Sequence, residues 1–321
     1  MKPGTPFRLI APGKLILIGE YAVLDGSRGV VMAVDRYVST TMCEKIDSNK
    51  QGLVSFARRV GAQFLAADAS NQGYQADSSE FFQHGVKLGL GSSAAVTVGA
   101  VASVFHEHGF DIENDTVRQD IWKAAHQAHC VFQGVRGSGI DLAASIFGDF
   151  IVLERGQASD IPVFTRMEMP RRLKQIFFWT GRSASTPELL GLVNLYKSRD
   201  PQGYSKITSE MSALTGQFID ACGTDNSETL LAVVERYAEL MNRLGRLSSA
   251  PIVTEQMRTI FKTIQAVGGA AKPSGAGGGD FIVAFLPGDA DLKRLLRETK
   301  SVDMLPVRLR PDRRGVHVTA A

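Results

Sequence analysis

Three glycine-rich stretches and two charged side chains are the parts of this sequence whose residue types and spacing can do chemistry. The first stretch, Lys87-Leu88-Gly89-Leu90-Gly91-Ser92-Ser93-Ala94-Ala95, runs straight into an apolar segment. Glycines remove the Cβ atoms that would hold a phosphate away. The free N–H groups of a first helical turn then point at it, and the helix dipole adds roughly 0.3 to 2 kcal/mol. The stretch reads as a phosphate cradle. It is not a Walker A loop, because no Gly-Lys-Ser/Thr closes it, and it is not a dinucleotide fingerprint, because no βαβ unit surrounds it. A helix start with a double serine cap is the competing reading of the same residues.

The second stretch, Ala270-Ala271-Lys272-Pro273-Ser274-Gly275-Ala276-Gly277-Gly278-Gly279-Asp280, leads into an apolar run from Phe281 to Phe285. Consecutive glycines cost backbone entropy unless a close approach uses them, and the alternative is a flexible hairpin loop. The third, Gln133 to Asp141, sets one carboxylate at the edge of a glycine loop. An Asp there is either a helix cap or a group that orients or deprotonates an acceptor. Lys14, in Ala11-Pro12-Gly13-Lys14, is the matching cation.

The elements that must position these groups follow from pattern. Three strand-like segments between Phe7 and Thr41, broken at Pro12-Gly13 and Asp25-Gly26 with no helix between them, imply antiparallel pairing. Residues 47–87 give no clear assignment. Ser92 and Ser93 open a helix running to about His108, and a second, from about Asn114 to Phe132, carries Val117, Ile121, Ala124, Ala125 and Ala128 at helical spacing. A third helical segment spans Asp141 to Ile146. Strands follow at Phe150 to Leu153 and Ile176 to Trp179, with a domain seam expected around Pro162 and Pro170. The second half is mainly helical: about 187–196, 204–222, 227–244 and 252–267, a strand at 281–285, a helix at 290–299, and a terminal hairpin of 305–310 with 315–319. The order suggests an α+β fold.

Composition narrows the function classes. Of 321 residues 44 % are hydrophobic, ample for a core, and 36 Lys and Arg against 33 Asp and Glu leave a charge of +3 with both signs spread along the chain. Neither nucleic acid nor a membrane surface is expected as a partner. Arg308, Arg310, Arg313 and Arg314 read as a solvated face. Three widely spaced cysteines, Cys43, Cys130 and Cys222, fit neither a disulfide framework nor a zinc knuckle, so a cytoplasmic location is expected. His126 and His129 lack further ligands at metal-site spacing.

Taken together, the motifs resemble those of the GHMP small-molecule kinase superfamily. Ala11-Pro12-Gly13-Lys14 through Gly19-Glu20-Tyr21-Ala22-Val23-Leu24 looks like its first motif, Gly89 to Ala95 its second and Lys272 to Asp280 its third. Within the superfamily the similarity is to the phosphomevalonate kinases. It rests on Gly19-Glu20-Tyr21, where mevalonate kinases usually have Gly-Glu-His, on Gly137 to Ser145, and on Trp179-Thr180-Gly181-Arg182-Ser183-Ala184-Ser185-Thr186. The resemblance implies an N-terminal domain like the second domain of ribosomal protein S5, taken here as residues 1–168. It also implies a ferredoxin-like C-terminal domain, residues 169–321, and a cleft between the two for ATP, magnesium and mevalonate 5-phosphate.

The same resemblance implies roles. Lys87, Gly89, Leu90, Gly91, Ser92, Ser93 and Ala94 would bind ATP, with Ser93 on magnesium. Lys14 and Asp141 would be catalytic. Lys14, Glu20, Tyr21, Arg136, Ser138, Gly139, Arg182, Ser185, Thr186, Gly275, Ala276 and Gly277 would surround the acceptor, Arg forks and hydroxyls suiting its phosphate. One departure stands out: the Glu that binds magnesium in mevalonate kinases, about eleven residues before the loop Asp, is replaced by His126-Gln127-Ala128-His129-Cys130. Mevalonate or another small alcohol is the alternative acceptor. An ATP-dependent decarboxylase would begin with a Tyr-Trp-Gly-Lys stretch that is absent, and a non-catalytic binding module would not need all the loops together with Lys14 and Asp141. The sequence sets no oligomeric state.

Overall fold

The computed structural model describes residues 7–43, 52–68, 73–134, 137–155, 162–300, 304 and 306–320. The first half of the chain contains β1 (Phe7–Ile18), β2 (Gly29–Cys43), α1 (Leu53–Phe64), β3 (Gly73–Asp77), β4 (Phe82–Gln83), β5 (Val86–Lys87), α2 (Ser92–Glu107), α3 (Asp115–Gln133), α4 (Ile140–Phe147), β6 (Phe150–Arg155) and β7 (Pro162–Met167). The second contains β8 (Leu173–Trp179), α5 (Thr186–Arg199), α6 (Pro201–Gly223), α7 (Ser227–Ser248), α8 (Glu255–Gln265), β9 (Ala270–Pro273), β10 (Phe281–Pro287), α9 (Leu292–Lys300), β11 (Pro306–Val307) and β12 (His317–Ala320). Mixed sheets and helices make the fold α+β, as expected.

The first sheet has strand order β12-β1-β2-β6-β7, with β3 on the far end of β2, and every pairing is antiparallel. Pro12 does not break β1 in two. The strand continues through it with a register shift between Pro12 and Gly13, the irregularity that lets a residue without an N–H sit inside a ladder. Helices α2 and α4 lie on β1 and β2. Twelve residues of α2 are buried, from Ser92 to Phe105, so it is a core helix wrapped by protein, consistent with its Ala- and Val-rich sequence. Helix α3 starts where Asn114 accepts from the Thr116 and Val117 N–H groups, supplying orphan donors of its first turn with a partner.

The second sheet runs β11-β8-β10-β9, also antiparallel, with α7 and α8 packed on it. One expectation is refined and one is corrected here. Residues 162–167 form a strand paired with β6, Val163 to Met167 aligning with Glu154 to Phe150, so Pro162 lies inside the first sheet, whereas Pro170 lies on the connection from β7 to β8, where the chain passes to the second sheet. The end of the chain is not a hairpin: β11 pairs with β8, whereas β12 pairs with β1 in the first sheet. The turn at Pro311 to Gly315 is instead held by Asp312, which accepts from the Arg314 and Gly315 N–H groups, and by a bridge between Val34 and Pro311. Pairing partners of short strands are chosen by tertiary neighbours, which local pattern does not contain.

Candidate active site

The first glycine loop is built around a left-handed glycine. Gly91, φ 80°, is the residue that precedes α2, so Ser92 opens the helix instead of capping it, and no side chain caps that end. The N–H groups of the first turn are therefore left for a ligand, and the double serine cap is not formed. Thr97 donates to the Ser93 carbonyl at 2.9 Å, while the Ser93 hydroxyl lies 3.4 Å from His129 Nε2.

The glycines of this loop make room for protein groups. A Cβ on Gly91 would stand 2.7 Å from Lys14 Cγ and 2.9 Å from Lys14 Cε. A Cβ on Gly89, φ 82°, would collide with the Asp280 carboxylate. The Lys14 N–H also donates to the Leu90 carbonyl at 2.8 Å, so the first motif is pinned to the second along its backbone. Lys87, at the end of β5, is exposed beside this loop.

Asp141 lies in the first turn of α4, and the residue that precedes the helix is Gly139, so the carboxylate is not a cap. It faces Lys14 instead, 3.6 Å from Nζ, with 12 % of the Lys14 side chain and 34 % of the Asp141 side chain exposed. A partly solvated pair of this kind keeps both charges available to a ligand. Gly139 is held by Trp122, whose indole N–H donates to its carbonyl at 3.0 Å, and Ser138 is buried beside it. His126 lies 3.0 Å from the Gly137 carbonyl and stacks on Trp122, so it supports the loop. Burial lowers the His129 pKa, with Asp141 opposing the shift, which favours a neutral ring beside Ser93. Arg136 lies outside the described residues.

The third glycine stretch is a hairpin connection between β9 and β10, held firmly to the first motif. Lys272 and Glu20 form a buried ion pair at 2.5 Å, with side-chain exposures of 0 % and 2 %. Glu20 Oε1 also accepts from the Gly275 N–H at 3.2 Å. The Tyr21 hydroxyl donates to the Ala276 carbonyl at 2.6 Å, and the Ser274 hydroxyl donates to the Ile16 carbonyl at 2.8 Å. Burial raises the Glu20 pKa and lowers that of Lys272, each partly offset by the other's charge. Glu20 and Tyr21, expected around the acceptor, are thus turned into the protein to fasten this hairpin. Gly277 is likewise buried against the Ile252 carbonyl, whereas Gly275 and Ala276 are half-buried, with open space over Gly275.

Arg182, Ser185 and Thr186 are exposed on the segment entering α5, and Ser185 precedes that helix without its hydroxyl capping it. The residue that fixes this segment was not singled out from the sequence. Asp280 donates its N–H to the Arg182 carbonyl at 2.8 Å, accepts the Thr180 N–H at its carbonyl at 2.9 Å, and accepts the Ala184 N–H at Oδ1 at 3.2 Å. Burial raises its pKa, with the positive charges of Lys14 and Lys87 opposing. A lone acidic residue after three glycines is the only sequence signal for it, and that signal does not say where the side chain points.

The arrangement is an uncapped helix start, a Lys–Asp pair beside it and an exposed Arg, Ser and Thr clasped to the same loop: a site able to align a phosphorylated donor with an acceptor. Residues 78–149 match the family model described as GHMP kinases N terminal domain, and residues 230–302 match GHMP kinases C terminal. The chain thus carries regions that match both the N-terminal and the C-terminal domain of GHMP kinases. A phosphomevalonate kinase from Streptomyces sp. (strain CL190) is 27 % identical over 95 % of this chain and 97 % of its own length. A mevalonate kinase from Thermococcus gammatolerans is 28 % identical over 86 % of this chain and 88 % of its own. The solved structure of Streptococcus pneumoniae phosphomevalonate kinase in complex with phosphomevalonate and AMPPNP superposes with a TM-score of 0.81 at 17 % identity, covering 95 % of this chain and 99 % of that one, and shares its fold. Among the described residues no helix is long and apolar enough to cross a membrane.

Proposed function

We propose that this protein is a GHMP kinase and transfers the γ-phosphoryl group of ATP to mevalonate 5-phosphate, giving the diphosphate. The observation that supports this acceptor is the clasped segment: Arg182, Ser185 and Thr186 are exposed, carry donors suited to a phosphate, and are tied through Asp280 to the loop that would hold the nucleotide. The first turn of α2 receives the β- and γ-phosphates. Lys14 neutralises charge on the transferring group, and Asp141 orients Lys14 and the acceptor oxygen. Phosphoryl transfer asks for this alignment and charge neutralisation more than for covalent chemistry.

Magnesium fits the donors present, which are hard oxygens: the Ser93 hydroxyl and the solvated Asp141 carboxylate. Among the described residues there is no cluster of three or more His, Cys, Asp or Glu able to hold a metal by itself, consistent with an ion held largely by the nucleotide's phosphates and water. When bound, it supplies positive charge to the phosphate oxygens. The cytoplasm as its compartment rests on the odd, widely spaced cysteines.

A second reading, mevalonate itself as acceptor, is favoured by the Lys14–Asp141 pair, because an alcohol needs a base more than an ionised phosphate does. A coupled assay of ADP release with each acceptor separates the two. The expected specificity constant for mevalonate 5-phosphate is about a thousand-fold above that for mevalonate, because the smaller molecule leaves donors of the pocket unpaired. Faster turnover of mevalonate refutes the phosphorylated acceptor and selects the second reading.

A further inference from the structure

We propose that Asp280 is a positioning residue that holds the acceptor-binding segment in register with the phosphate loop. The proposal rests on the reading of Arg182, Ser185 and Thr186 as acceptor ligands. Asp280 makes three hydrogen bonds to the stretch from Thr180 to Ala184, two from its backbone and one to its carboxylate. The same carboxylate packs on the Cα of Gly89, in space that any side chain at that position would occupy. One residue of the second half of the chain thus fixes the distance between the segment offering Arg182 and the loop that would carry the nucleotide.

The residue type suits the task. Asp280 sits at φ 49°, a left-handed conformation that Asp tolerates better than most residues because its short polar side chain bonds locally. A shorter side chain would not reach the Ala184 N–H, and a longer one would not fit over Gly89. A carboxylate beside a phosphate loop repels a triphosphate unless cations flank it, and Lys14 and Lys87 are the groups whose charge acts on it here. What makes Asp280 useful is then where its oxygen lies, not its charge. A hairpin clip of no functional consequence would carry both substrates along together when altered.

Two variants separate position from charge. Asp280→Asn keeps an oxygen for the Ala184 N–H and removes the charge, whereas Asp280→Glu keeps the charge and moves the carboxylate by one methylene. Steady-state kinetics are measured for both with ATP and with mevalonate 5-phosphate and mevalonate in turn, alongside thermal melts. The expected result for Asp280→Glu is a rise in the acceptor KM of about ten- to a hundred-fold, with a clearly smaller rise in the KM for ATP because the added methylene also presses on the Gly89 loop. Asp280→Asn should stay within about three-fold of the wild type, a small fraction of that loss. Should Asp280→Glu fail to fold, Asp280→Ala takes its place under the same expectation. Equal shifts in both KM values, an unchanged acceptor KM in the folded Glu or Ala variant, or a loss in Asp280→Asn as large as theirs would overturn the proposal. Which acceptor the wild type prefers tests the proposed function separately, because the ratio of variant to wild type is taken on whichever acceptor the wild type uses.

Discussion

Replacing Gly91 by alanine should displace Lys14 and slow the reaction while leaving the fold in place. Two costs arise, and the structure offers a way to tell them apart. The left-handed backbone at Gly91, φ 80°, penalises any L-residue by roughly 1 to 2 kcal/mol, and the same penalty applies to Gly26, φ 91°. A Cβ on Gly26 meets nothing within 4 Å, whereas on Gly91 it would stand 2.7 and 2.9 Å from carbons of the Lys14 side chain. Carbon atoms prefer about 3.5 to 4.0 Å, so Lys14 must swing aside. That movement takes the ammonium from its place 3.6 Å from Asp141 and beside the start of α2. A charge-assisted hydrogen bond lost in the transition state is worth roughly 1.5 to 3 kcal/mol, or about ten- to a hundred-fold in kcat. The assay is coupled ADP release, giving kcat and both KM values for Gly91→Ala and Gly26→Ala, with thermal melts of each. Similar melts with kcat lowered only in Gly91→Ala are expected. A kcat for Gly91→Ala within about three-fold of that for Gly26→Ala would refute the placement of Lys14 in the reaction.

Asp141→Asn should lower kcat by about ten- to a hundred-fold through loss of the charge facing Lys14, with an unchanged melting temperature because Gly139, not Asp141, precedes α4. A melting temperature that falls while kcat holds would return the carboxylate to a structural role. Ser93→Ala should weaken ATP binding measured with magnesium and leave binding without it nearly unchanged. An equal loss in both conditions removes Ser93 as a metal ligand. Lys272→Met strands the buried Glu20 carboxylate and should destabilise the protein by roughly 3 to 5 kcal/mol in urea unfolding, with most of the loss recovered by adding Glu20→Gln. No recovery in the double variant would show that the lysine's packing, not the pairing of charge, is what the hairpin needs.

What the sequence determined by itself is the set of pieces. Period and punctuation located the extended residues around Leu9 and Ile16, though not their union into one strand across Pro12, and the helices that start at Ser92 and after Asn114, because apolar spacing is a local property of a chain. The glycine loops, Lys14 and Asp141 were likewise legible as candidates, since glycine clusters beside charged residues are a feature of local composition, and the structure brings Lys14 and Asp141 together. Only the tertiary structure decided what those pieces face. Gly89 and Gly91 admit Asp280 and Lys14, Glu20 and Tyr21 turn inward to Gly275 and Ala276, and the last strand returns to β1 instead of forming a hairpin. These contacts join residues as far as 313 positions apart, as between the paired Phe7 and Ala320. A glycine's sequence neighbours say that a close approach is possible, and the packing of distant elements determines which group makes it.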